Sequence, residues 1–247
     1  MVQGPRRTGR SGPALIRLLA RLTDIEVSES GQALSERLSQ WLGWTDAIAL
    51  SAALDGGPPA VPAGPPAQAE AGERECARVR GTLAGAIAAD RILAPAPARA
   101  GRAHAPSSGA AATGTAEYLV YRERYRYLQQ SMENAVGALR TRLRTMLAAA
   151  TPEMARLAVL DAVMERALGA RERSLLAGVP ALLEARFERL RQAAEEDPPE
   201  AGPAARGAWL DAFRHDMRSV LLAELDVRLQ PVEGLLAALR ASRPGHP

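Results

Sequence analysis

The chain has 247 residues, of which 31 are basic and 28 acidic, for a net charge of +3. All of the basic residues are arginine, so the GxxxxGK[ST] phosphate loop, Schiff-base lysine chemistry and SxxK serine enzymes are excluded for want of an amine. Arginine keeps its charge at high pH, so the basic balance carries no message about a nucleic-acid partner.

The apolar residues are mainly Ala, Leu and Val, with three Trp, four Tyr and two Phe, a composition that suits helices better than sheets. The predicted fold is all-α. It has a disordered tail over 1–11, a small N-terminal helical unit over 12–54, a linker over 55–69 and a helix over 70–93. A disordered linker over 94–115 leads into a long antiparallel helical hairpin over 116–196, and a linker over 197–206 into a C-terminal helix over 207–242. The linkers are rich in Pro, Gly and Ala, which remove backbone donors and raise the entropy of ordering.

In the N-terminal unit, Leu15, Leu18, Leu19 and Leu22 share a face, with Arg17 and Arg21 off it. These arginines also interrupt the apolar run that a secretion signal needs, and no stretch approaches the roughly 20 residues of a membrane span. A soluble, cytoplasmic protein is expected, with residues 13–22 the nearest approach to a membrane-surface helix. A second helix is expected from Ser30, with Leu34, Leu38 and Trp41 on one face and a stop at Gly43. A third follows under a Thr45 or Asp46 cap, and Trp41 and Trp44 are expected to pack inside a three-helix unit. On the 70–93 helix, Val79, Leu83, Ile87 and Ala86 are expected to face inward, and Cys76, set among charged residues, to be an exposed thiol.

All four tyrosines fall in YLVYRERYRYLQQ, residues 118–130. Tyrosines interleaved with arginines suggest base stacking, but the period assigns them differently. Tyr118, Tyr121, Tyr125, Leu128, Met132, Ala135, Leu139, Leu143 and Met146 recur at steps of three and four, the pattern of a helix-partner seam, while Tyr127 falls off it. Arg122 and Arg126, and Arg140 and Arg144, flank the seam. They fit pairing with acids on 151–197, and alternatively contact with nucleic acid through the Arg-rich 117–150 helix.

Thr151, Pro152 and Glu153 read as the start of a new helix whose stripe is Met154, Leu157, Leu160, Met164 and Leu168. Leu176, Val179, Leu183, Phe187, Leu190 and Ala194 continue past a kink or fresh start at Pro180. The last helix carries Leu210, Phe213, Met217, Leu221, Leu225, Leu229, Val232, Leu236 and Leu239, with a bend expected at Pro231. Catalytic and cofactor signatures are not found. His104, His215 and His246 lack metal-cluster spacing, and Asp211 with His215 reads as a surface pair.

GPALIRLLARLTD, LSERLSQWLGWTDAIALSAAL, YLVYRERYRYLQQSMENAVGALRTRLR and FRHDMRSVLLAELDVRLQPVEGLLAAL, in that order around an Ala/Pro linker, resemble an uncharacterised domain-of-unknown-function family of Gram-negative bacteria. The family's genes tend to lie beside those for a coiled-coil membrane protein and an OmpA/MotB-like peptidoglycan-binding protein. The resemblance thus implies peripheral association with an envelope complex and carries no catalytic residues. The expected function is a non-enzymatic helical adaptor or structural accessory, without cofactor, that binds a protein partner or its own copy. The alternative is a nucleic-acid-binding protein.

Overall fold

The computed structural model describes residues 13–24, 33–55, 67–94, 110–196 and 207–241. Every regular element among them is an α-helix. In chain order these are α1 (Ala14–Thr23), α2 (Leu34–Trp41), α3 (Trp44–Asp55), α4 (Ala67–Ala88), α5 (Ala110–Ala148), α6 (Pro152–Leu176), α7 (Val179–Glu196) and α8 (Ala208–Ala241). The helix expected from residue 116 begins earlier, at Ala110, in a run of three alanines, the residue of highest helix propensity. The predicted tail, the centres of the three linkers and the proposed start at Ser30 lie outside the described residues.

The described helices fall into two compact units. One contains α1, residues 87–94, α5 through Arg126, α7 from Pro180, and α8 through Val227. The other contains α2, α3, α4 through Ala86, α5 from Tyr127, α6, and α8 from Arg228. The expected N-terminal three-helix unit is therefore corrected. α1 belongs to one unit, where Arg189 of α7 holds its end, and α2 and α3 to the other, where both contact α6; helices this short take their stability from packing on longer ones.

In the first unit an aromatic cluster forms the core. Tyr118 and Tyr121 of α5, Phe187 of α7 and Phe213 of α8 are buried, with ring centroids 5.0–6.2 Å apart, and Trp209 closes edge-on against Phe187 at 5.2 Å. Tilted and edge-on rings let the positive rim of one meet the negative face of the next. Each buried aromatic contributes about 1.5–3 kcal/mol by leaving water. α1 buries Leu15 and Leu22 and exposes Arg17 and Arg21. Its end is held by Arg189 of α7, which donates to the Leu22 carbonyl and to the Asp24 carboxylate, so a cation occupies the negative end of the helix.

In the second unit α4 and α5 run antiparallel, with Arg142 bonded to Glu75, and α4 is also antiparallel to α8, with Arg80 paired to Glu233 and Arg240 to Glu73. Gly72 sits where α4 comes closest to α5 and α8. A Cβ there would lie 3.0 Å from Leu143 Cδ2 and 3.1 Å from Leu236 Cδ2. The inward face of α4 includes Val79 and Leu83, as expected, while Ala86 is exposed. Cys76 is buried there too, which corrects the expected exposed thiol; charged sequence neighbours on a helix point to other faces, and burial pushes this thiol's pKa up.

α6 runs antiparallel to α5 in the same unit. Gln129 reaches the Leu176 carbonyl, Arg173 faces Glu133, and Arg140 faces Asp161. The α6 cap is as read, with Thr151 accepting from the Met154 N–H at 3.3 Å and Pro152 opening the helix. The stripe on α6 is not: Met154, Leu157, Leu160, Met164 and Leu168 are half-buried, and the buried residues are Ala155, Ala158, Val163 and Leu176. Two short helices, α2 and α3, cover only part of α6, so its large side chains are half covered while small ones sit at close contact. A break at Ala177 and Gly178 separates α6 from α7, where Pro180 lies in the first turn. α8 continues through Pro231 as one helix.

Candidate protein-docking site

The tyrosine seam faces into the chain. Tyr118, Tyr121, Tyr125, Leu128, Met132, Leu139 and Leu143 are buried, and Tyr127, off the seam, is 62% exposed. Two predicted members shift: Val136 and Leu147 are buried where Ala135 and Met146 were expected. The added four-residue steps give the 3.6-residue period of a straight helix instead of the 3.5 of a supercoil.

Each buried hydroxyl has a partner. Tyr118 donates to the Pro180 carbonyl, Tyr125 donates to Glu224 Oε2 at 2.7 Å, and Tyr121 accepts from Arg214 Nε at 3.2 Å. Burial pushes the Tyr118 phenol far up, with Glu184 adding to the rise and Arg122 and Arg126 opposing it. Burial also raises Tyr121, against the hydrogen bond from Arg214.

The flanking arginines divide. Arg140 grips Asp161 through Nε at 2.8 Å and through its terminal nitrogen at 2.6 Å, and Arg144 reaches Asp161 at 3.0 Å and Glu165 at 2.5 Å. Burial disfavours the Arg144 charge, but its bonds to Glu165 and Asp161 outweigh burial and raise its pKa. Arg122 is half-buried and Arg126 exposed.

Sequence reasoning missed two buried carboxylates. Glu224 is fully buried, and Asp90 accepts from the Ile92 and Leu93 N–H groups and from Arg124. The signal for Glu224 is the row Met217, Val220, Glu224, Arg228 beside the apolar stripe of α8, which only a helix packed on a broad arc would bury. Asp90 follows a helix end, where an Asx carboxylate accepting from the amides two and three residues on is a familiar turn.

The exposed counterpart of these packed surfaces is α3. Its sequence, WTDAIALSAALD, is apolar around most of its circumference, and such helices are ordinarily buried on all sides. Its half-covered residues, Asp46, Ala49, Leu50 and Ala53, lie on one side, and it packs against α6. The other side is open: Trp44 is 82% exposed, and Ile48 and Leu54 are each 54% exposed. The expectation that Trp44 packs inside is thus corrected. Gly43 caps the start of α3, its N–H bonded back to Asp46 Oδ2; Asp46 is half-buried on the covered side, and Trp44, two residues earlier on the helix, falls on the opposite side. Trp41 is half-buried, with the guanidiniums of Arg37 and Arg171 at 5.5 and 5.8 Å from its ring.

A family model described as a protein of unknown function (DUF3348) matches residues 1–241. The chain belongs to this family. No curated protein and no solved structure matches it.

In this DUF3348 member, no helix among the described residues is long and apolar enough to cross a membrane. Among the same residues, no group of three or more His, Cys, Asp or Glu is placed to hold a metal ion. His215 is exposed on α8, and Asp211 pairs with Arg214 at 2.9 Å.

Proposed function

We propose that this chain is a non-enzymatic helical adaptor that docks on a protein partner through the open side of α3. The carrying observation is Trp44, 82% exposed at the start of a helix with no basic residue and only one covered side. A large aromatic ring that the described residues leave exposed is the kind of anchor that dominates protein interfaces. The predicted seam on α5 serves the chain's own packing, so it supports the adaptor scaffold and not the docking itself. Arg140 and Arg144 are bonded to α6 acids, which favours this reading over nucleic-acid binding through the 117–150 helix.

Crosslinked pull-downs of the tagged chain from its host test the reading. Specific protein adducts are expected that disappear in the Trp44→Ala, Ile48→Ala double variant. Adducts unchanged by that double variant, or salt-sensitive capture of nucleic acid alone, would overturn it.

A further inference from the structure

The open side of α3 carries a stripe at Trp44, Ile48, Ser51 and Asp55. The steps are four, three and four, the spacing of a helix-pairing seam. All four residues are exposed, and the Ser51 hydroxyl donates to Asp55 Oδ2 at 3.1 Å, which holds the carboxylate on the stripe. Asp46, the other acid of α3, lies on the covered side and is bonded to the Gly43 N–H.

We propose that this stripe pairs, antiparallel and two-fold, with the same stripe of a second copy of the chain. The proposal rests on the docking reading above and names its partner. In an antiparallel pair Ile48 of each copy lies against Ser51 of the other, large against small. Trp44 then lies against Asp55, so an indole N–H donor meets a carboxylate acceptor. The same register puts Asp55 at the positive N-terminal end of the opposite α3. A parallel pair would instead set Asp55 against Asp55 and leave the indoles facing each other without an acceptor. Antiparallel pairing is therefore the arrangement in which this surface complements itself. A 12-residue helix is about 18 Å long, too short for the roughly 1,200 Å² at which stable interfaces begin, so the pairing is weak and reversible.

Sedimentation velocity of the full chain from about 5 to 500 μM tests this, a range suited to small transient interfaces. A monomer–dimer equilibrium is expected. Ser51→Arg should weaken it at least ~30-fold, the loss carried by a hot-spot position. Thr45→Arg, exposed on the same helix but off the stripe, should leave it unchanged. Far-UV circular dichroism confirms that both variants keep their helices. A monomer throughout the range overturns the pairing, as does a dimer that ignores Ser51→Arg. If the pull-down adducts still depend on Trp44 and Ile48 in either case, the docking reading stands with a different partner; if they do not, both fall.

Discussion

Tyr118, Tyr121 and Tyr125 lie on one stripe of α5, yet their hydroxyls are satisfied in three different ways, by a carbonyl, a guanidinium and a carboxylate. Tyr125→Phe removes the phenol donor from Glu224 inside the core, and a loss of about 1–3 kcal/mol is expected in urea unfolding. Alkaline pH tests the burial of Tyr118 and Tyr121, both raised above the ordinary phenol pKa. A group whose folded pKa is raised binds its proton more tightly when folded. Its contribution to stability is therefore complete below the unfolded pKa, about 10, and is lost as pH rises through and beyond it. No lysine titrates in this window, and the raised Cys76 thiol acts with the same sign, so its share begins to fall nearer pH 8.5. The urea midpoint should fall between about pH 8.5 and 11, and a flat midpoint would contradict burial of the seam.

Among the elements, α4 and α5 show how closely the helices approach. Gly72→Ala adds a methyl where Leu143 and Leu236 stand, so overpacking of about 1–3 kcal/mol should exceed the gain of up to about 1 kcal/mol in helix propensity. Gly85→Ala, with nothing within 4 Å of its Cβ, should keep that gain and raise the melting temperature. Asp161→Ala leaves Arg140 and Arg144 short of a shared acceptor in a half-covered site and is expected to cost about 2 kcal/mol by the same measurement. The stripes on α5 and α8 were legible because each long helix repeats its apolar period over many turns, whatever its partners. α6 was not, since its covering is shared between α5 and the short α2 and α3, and periodicity does not report how much of a face a partner covers. Glu224 was hidden for a related reason: one stripe on α8 was legible, whereas the second buried row depends on how many helices surround it.

At the scale of the whole molecule, sequence order misled where it was taken as spatial order. α1, α2 and α3 follow one another but belong to different units, and of the two tryptophans assigned to their common core Trp44 stands exposed and Trp41 half-buried. The all-α class was readable from composition and period, whereas the docking face was not, because an apolar helix looks the same in sequence whether one side or both are covered. The inner seam of α5 is buried in the chain itself, and the open stripe of α3 is the surface proposed to meet a second protein. In-cell photocrosslinking with a benzophenone amino acid at position 48, and at position 45 as the reference on the same helix, measures that assignment directly. Protein adducts at position 48, including one of twice the chain mass, with little or none at position 45, are the predicted result. Equal yields at the two positions, or none at position 48, would contradict it.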